Sequence, residues 1–278
     1  MASGTRVLGL IAGRGRFPLD VARAARRRGE RVVAVGFHGE TDAALEREAD
    51  AFTWVRLGEL ERLIQGLRAG GVRDAVMAGK VPKTRLYADP ESLRPDARAL
   101  RMLAGLADRK DDTLLSALAG ELASDGIRLR PQPEAAPELF AGAGPLGRTA
   151  PTGAQRADIA FAWPIAKALG DLDVGQTVVV RDGAVLALEA IEGTDAAIAR
   201  GAALAPGRGV VVVKVAKPRQ DPRFDMPAIG LETLKVLGAG GALAFEAGST
   251  VVLDRDELAR EADARGIPVV GIPAGGPV

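Results

Sequence analysis

Val7-Leu-Gly-Leu-Ile-Ala-Gly13-Arg-Gly15-Arg-Phe-Pro18 decides the fold of the first half of the chain. Val7–Ala12 is a short apolar run with the pattern of a buried strand. The glycines end it, and Leu19 to Arg28 continues at helical rhythm as far as Gly29. Working outward, Arg31–Val35 and Phe52–Arg56 read as further strands. Leu57, Leu60, Ile64 and Leu67 recur at helical spacing up to Gly70-Gly71, and Ala75–Ala78 is another strand. Strands alternating with helices predict an α/β fold, here a Rossmann-like parallel sheet over residues 1–130.

Two helices are expected next, near Pro95–Asp108 and Asp112–Asp125. Pro131, Pro133, Pro137, Pro145 and Pro151 then crowd together, marking residues 131–156 as a linker. Residues 157–278 have a different rhythm and predict a second, mixed α/β domain. Thr177–Arg181 and Ala184–Ala190 flank Asp182-Gly183, a strong hairpin signal. Val210–Val215 is a buried strand. Thr250–Leu253 is a strand followed by Asp254 as helix cap, and Ile267–Ile272 closes the domain.

Composition narrows the chemistry. The chain has 278 residues, 37 basic against 36 acidic, one His and no Cys. A net charge of +1 gives no footprint for nucleic acid. Without Cys there is no thiol nucleophile, disulfide or zinc-thiolate site. With His38 alone no His-based metal cage can form, so any metal should be a hard cation held by oxygen, such as Mg²⁺. No segment has the length and apolarity of a signal peptide or membrane span, so a soluble, cytoplasmic protein is expected.

Several segments have the residue types for phosphate chemistry. Gly13-x-Gly15 after the first strand would let a ligand approach backbone and a helix start. Phe17-Pro18 breaks the dinucleotide fingerprint. Gly79-Lys80-Val81-Pro82-Lys83 emerges from the end of another strand, where ligands of open α/β sheets bind. Asp111-Asp112 reads either as a helix cap or as a pair of acids facing a ligand. Glu189, Glu192 and Asp195 crowd one strand end, a plausible oxygen-rich site, although Thr194 or Asp195 would also serve as a cap. Lys214 interrupts a valine run, costly for a buried charge unless it is paired. With the proline-rich loop after it, it brings two Lys (Lys214, Lys217) and two Arg (Arg219, Arg223) beside two Asp (Asp221, Asp225), a set suited to a phosphoryl group with Mg²⁺. Of 37 basic residues only seven are Lys, and five of those (Lys80, Lys83, Lys110, Lys214, Lys217) fall in these segments. A compact point charge is what Lys offers over Arg.

Together the segments resemble the LpxI-type UDP-2,3-diacylglucosamine pyrophosphatases of lipid A synthesis. The resemblance rests on Leu10-Ile-Ala-Gly13-x-Gly15-x-x-Pro18, Ala78-Gly79-x-Val81, Asp111-Asp112 and Leu172-Asp-x-Gly175-Gln176. It rests above all on Glu189-x-Ile-Glu-Gly-Thr-Asp195 and Lys217-Pro-x-Gln220-x-x-Arg223-x-Asp225-x-Pro227-x-Ile-Gly230. Lys110 stands where the family pattern has Gly.

The resemblance implies an Mg²⁺-dependent hydrolase, cytoplasmic and peripherally bound to the inner membrane, that binds its substrate between two domains. Water would attack the α-phosphorus, giving UMP and 2,3-diacylglucosamine 1-phosphate. The family's essential aspartate matches Asp225, assigned to Mg²⁺ or to activating the water. Lys214, Lys217 and Arg223 would neutralise phosphate oxygens, and Gly13 and Gly15 would accommodate the nucleotide. Lys80, Asp111, Asp112, Gln176, Thr194, Asp195 and Gln220 are further substrate-binding candidates. A homodimer stays open. A rival reading is a non-catalytic nucleotide-sugar or nucleotide-binding regulator on the same frame. A nicotinamide-dependent oxidoreductase is disfavoured by the broken fingerprint and by Gly36-Phe37-His38, where an acid should end the second strand.

Overall fold

The structure, a computed structural model, describes residues 5–81, 95–107, 111–224 and 226–277, without the side chains of Asp111 and Asp112. Asp225, Lys83 and Lys110 lie outside the described residues. The chain forms two units: Met1–Pro137 with Asp221–Asp225, and Glu138–Gln220 with Met226–Val278.

The first unit is built from β1 (Val7–Ala12), α1 (Phe17–Arg27), β2 (Arg31–Phe37), α2 (Ala44–Glu48), β3 (Ala51–Val55), α3 (Leu60–Ala69) and β4 (Asp74–Ala78), followed by α4 (Ala97–Ala104), α5 (Asp111–Ser124), β5 (Arg128–Leu129) and α6 (Gln132–Ala135). Its five strands run parallel in the order β3-β2-β1-β4-β5, the Rossmann-like winding expected from the alternation. β1 lies at the centre and is buried from Leu8 to Ala12, which is why it reads as an uninterrupted apolar run. α1 carries Pro18 in its first turn, where the missing N–H costs nothing, and Arg26 and Arg27 in its last. In α3, Leu60, Leu63, Ile64 and Leu67 bury one stripe against the sheet core. α4 ends at Ala104, shorter than expected, and starts with Asp96 accepting from Ala99 N–H at 2.8 Å.

A five-residue strap from the far end of the sequence also belongs to this unit. Phe224, 4% exposed, packs in the same core as Ile11, Val35 and Ile64. The backbone N–H of Gln132 donates to Pro222 O at 2.8 Å, and its side-chain amide donates to Met77 O at 2.9 Å.

The second unit contains β6 (Gly144–Pro145), α7 (Gly153–Asp171), β7 (Thr177–Arg181), β8 (Ala184–Leu188), α8 (Thr194–Ala203), β9 (Val211–Lys214), β10 (Ala228–Ile229), α9 (Leu231–Leu237), β11 (Ala242–Glu246), β12 (Val251–Val252), α10 (Arg255–Ala264) and β13 (Val269–Ile272). Six strands form a mixed sheet in the order β6-β13-β11-β9-β7-β8. β9, β11 and β13 are parallel at its centre; β6, β7 and β8 pair antiparallel at its flanks. β10 and β12 form a small parallel pair.

The β7–β8 turn matches its sequence signal. Asp182 and Gly183 both take positive φ, 48° and 73°, and the Asp158 carboxylate accepts from both turn N–H groups at 3.0 and 2.8 Å. The proline-rich stretch carries structure of its own, because β6 pairs with β13 and Phe140 bridges Val251. α7 was not expected from the sequence. A Thr152–Gln155 capping box starts it, and Pro164 sits inside it. Asp254 precedes α10 in left-handed backbone (φ 46°) and makes no side-chain cap bond. Among the described residues no helix is long and apolar enough to cross a membrane.

Candidate active site

In the first unit, the loops leaving β1 and β4 are zipped together by backbone. Gly13 N–H donates to Ala78 O at 2.8 Å, Arg14 N–H to Lys80 O at 2.7 Å, and Lys80 N–H returns to Arg14 O at 3.0 Å. A Cβ on Gly13 would stand 2.7 Å from Lys80 O, and one on Gly79 (φ 85°) 2.7 Å from Arg14 O. The close approach of the neighbouring loop therefore requires glycine at position 13. Gly15 differs: its φ is 102° and nothing lies within 4 Å of where its Cβ would be. Arg14 meets the buried Glu40 at 3.1 Å, Arg16 meets Asp20 at 3.2 Å, and Lys80 is exposed. Asp111 and Asp112 open α5. His38, directly after β2, stacks on Trp54 with ring centroids 5.3 Å apart.

In the second unit the ends of β7, β8 and β9 bring Gln176, Thr194 and Lys214 together, and they add Glu189. Lys214 ends β9 and is only 5% exposed. Its ammonium donates to Thr194 Oγ1 at 2.9 Å and to Ala228 O at 2.7 Å. The Thr194 hydroxyl donates to Glu189 Oε1 at 2.9 Å, and Glu189 Oε2 accepts from Gln176 N–H at 3.3 Å. The buried cation is thus linked to a buried carboxylate through one hydroxyl, which offsets the cost of taking both out of water. Gly175 is required there: its Cβ would lie 2.1 Å from Glu189 O. The Gln176 side-chain oxygen is shielded and has no hydrogen-bond partner among the described residues.

Two readings of this region change. Thr194 is not a helix cap, since Gly193 occupies that position and the hydroxyl is spent on Glu189 and Lys214. The three acids do not form an oxygen cage. Glu189 turns inward, Glu192 pairs with Arg200 at 2.6 Å, and Asp195 is exposed on the first turn of α8. Hydrogen bonding from Arg200 holds the Glu192 carboxyl below the usual range. Among the described residues no three acids or His converge as metal ligands.

The loop after β9 is organised at its root. Lys217 N–H donates to Gln220 Oε1 at 3.3 Å, and Gln220 N–H returns to Lys217 O at 3.0 Å, closing a turn. The Lys217 ammonium meets Asp173 at 2.5 Å; Asp173 takes left-handed backbone (φ 56°) just beyond α7. Ala216 is held by Lys167 of α7 and Glu246 of β11. Arg223 lies on the strap of the first unit, gripping Asp221 with Nε and Nη2 at 3.0 and 2.6 Å and stacking over Phe224 at 5.1 Å. That hydrogen bonding pushes the Asp221 carboxyl down and the Arg223 guanidinium up. A recess of about 420 Å³ lined by Arg68, Arg73 and Asp125 lies at the opposite, amino-terminal edge of β4 and contains none of these residues.

Sequence reasoning passed over Glu189 as a partner of Lys214, and it passed over Lys167, Asp173 and Glu246. Asp173 and Glu189 do lie within the segments Leu172–Gln176 and Glu189–Asp195, on which the family resemblance rests. Nothing local marks Lys167 or Glu246.

Residues 7–139 match the LpxI N-terminal domain and residues 142–270 the LpxI C-terminal domain. The chain is 35% identical to the UDP-2,3-diacylglucosamine pyrophosphatase LpxI of Caulobacter vibrioides (strain ATCC 19089 / CIP 103742 / CB 15), over 96% of this chain and 98% of that one. Among solved structures, glycinamide-RNase-transformylase T from Mycobacterium tuberculosis matches 67% of this chain and 44% of its own at 18% identity, with a TM-score of 0.22 that carries no argument. Both halves and nearly the whole length agree, and the chain belongs to the LpxI family.

Proposed function

We propose that this chain hydrolyses the pyrophosphate of UDP-2,3-diacylglucosamine to UMP and 2,3-diacylglucosamine 1-phosphate. The observation that carries the reading is the end-to-end likeness to the Caulobacter protein, which bears that name. The chemistry of the second unit supports it. A pyrophosphate diester carries two negative charges that repel a nucleophile, so cations fixed at the reacting phosphates lower the barrier. Lys214 is fixed, held by Thr194 and Ala228 at the end of a buried strand. Lys217 is presented by a closed turn beside it in sequence.

In this reading water attacks the α-phosphorus. The bond from that phosphorus to the bridging oxygen breaks, and the bridging oxygen leaves with the sugar phosphate. UMP gains the water oxygen. Asp225 accepts the water's proton or holds Mg²⁺, and Lys214 and Lys217 neutralise the non-bridging oxygens. Gln176, with a shielded unpaired oxygen, is a donor–acceptor for the sugar or nucleotide. Arg223 contributes once its grip on Asp221 is exchanged for phosphate. Mg²⁺ commonly takes one or two carboxylates and completes its shell with phosphate and water, so a site resting on Asp225 is within its chemistry. Bound there, Mg²⁺ would supply charge neutralisation. Peripheral attachment to the cytoplasmic face of a membrane follows from the lipid substrate.

The test is UMP release from UDP-2,3-diacylglucosamine by the full chain, its Asp225→Ala variant, and the parent with EDTA. The expected result is turnover by the parent alone, with substrate still bound by the variant. Near-normal UMP release by Asp225→Ala would sink the residue assignment. Binding without turnover by the parent would favour the non-catalytic regulator.

A further inference from the structure

We infer that the ion pair Lys167–Glu246 is a positioning device for the proposed hydrolysis, holding Ala216 so that the loop root bearing Lys217 and Gln220 leaves β9 in one direction. The inference rests on the activity proposed above. Glu246 ends β11 with its side chain 5% exposed, and Lys167 lies on α7 with its side chain 27% exposed; the two meet at 2.9 Å. The same Glu246 Oε2 accepts from Ala216 N–H at 2.9 Å, and Lys167 Nζ donates to Ala216 O at 3.2 Å. Both polar groups of one backbone residue are thus held by the two halves of one ion pair. That residue lies two positions after Lys214 and directly before Lys217.

A buried ion pair is a poor way to gain stability, because desolvation offsets much of the attraction. Ordinary strand pairing would satisfy Ala216 at no such cost. What the pair adds is direction, and the neighbouring contacts point the same way. A Cβ on Gly170 would lie 3.3 Å from Lys217 Cα and Pro218 Cδ, so α7 approaches the loop root closely. Asp171 O accepts from Arg219 Nη2 at 2.7 Å, and Asp173 holds Lys217. The last turns of α7 form a seat for residues 216–219, with Lys167 and Glu246 fixing its depth.

The experiment measures kcat, KM and unfolding temperature for UDP-2,3-diacylglucosamine hydrolysis with the full chain. Lys167→Met/Glu246→Met removes both charges, so neither is left buried alone. The expected result is kcat at least tenfold below the parent with KM within threefold. Glu246→Gln keeps an acceptor for Ala216 N–H and should retain kcat within threefold. A double variant at parental kcat overturns the inference. So does a Glu246→Gln variant as impaired as the double, since charge pairing rather than the hold on Ala216 would then matter. Should the double variant fail to fold, Lys167→Met decides: kcat at least tenfold below the parent with KM within threefold supports the inference, and parental kcat overturns it. Absence of turnover by the parent overturns this inference and the proposed activity together; a parent that turns over beside unaffected variants overturns this inference alone.

Discussion

The strand-end loops of the two units are built from different materials. At the end of β1 and β4, Gly13, Arg14, Gly79 and Lys80 close on each other through backbone hydrogen bonds, and the glycines are there because no side chain fits. At the end of β7, β8 and β9, side chains do the closing: Lys214, Thr194 and Glu189 form a buried polar chain. Backbone closure shapes a loop but supplies no fixed charge. The side-chain network does supply one, held by Thr194 and Ala228. The first loop is set by shape and the second by charge, a division of labour within one fold class.

Substitutions can break that comparison. The largest effect is expected from Lys214→Met, which removes a fixed cation and should lower turnover about 10²–10³-fold, measured as UMP release. If turnover survives, the charge of the second loop is structural only. Thr194→Val removes the link to Glu189 and leaves buried polar groups unsatisfied, at a cost of about 1–3 kcal/mol. Denaturant unfolding should show that loss. Gly13→Ala forces a methyl against Lys80 O and should cost about 1–3 kcal/mol by overpacking, with turnover per folded molecule within threefold of the parent. A turnover loss exceeding the loss of folded protein would move Gly13 from shape to chemistry.

The smallest effect concerns Asp221. Its carboxyl is held down by Arg223, so its folded pKa lies below its unfolded one. The pair's contribution is therefore present above the unfolded pKa and fades as pH falls through the folded value. Both partners are about a third exposed, so the pair is worth no more than about 1 kcal/mol. Stability of the parent and Asp221→Asn should differ by that amount at neutral pH and converge in acid. A gap that persists in acid would contradict the sign.

What was legible in the sequence was local. β1 and β9 are short apolar runs with side chains buried on both faces, and Asp182-Gly183 needs only its own two positive φ angles. Lys214 was legible because a charge interrupting valines must be paired. α7 was not, because Pro164 argues against a helix and its apolar residues form no clear stripe. Thr194 read as a cap because hydroxyls at helix starts usually are; its real partners come from β9 and the end of β8. The Lys167–Glu246 pair is 79 residues apart and has no local signature. Nor does sequence show that Asp221–Asp225 returns to the first unit, since Phe224 declares its core only once that core exists.

The central claim is that water attacks the α-phosphorus of a diacylated UDP-sugar. Incubating the chain with UDP-2,3-diacylglucosamine and Mg²⁺ in H₂¹⁸O tests it directly, with both products read by mass spectrometry. The account predicts one ¹⁸O in UMP and none in 2,3-diacylglucosamine 1-phosphate. Label in the sugar phosphate, or no UMP at all, would contradict it.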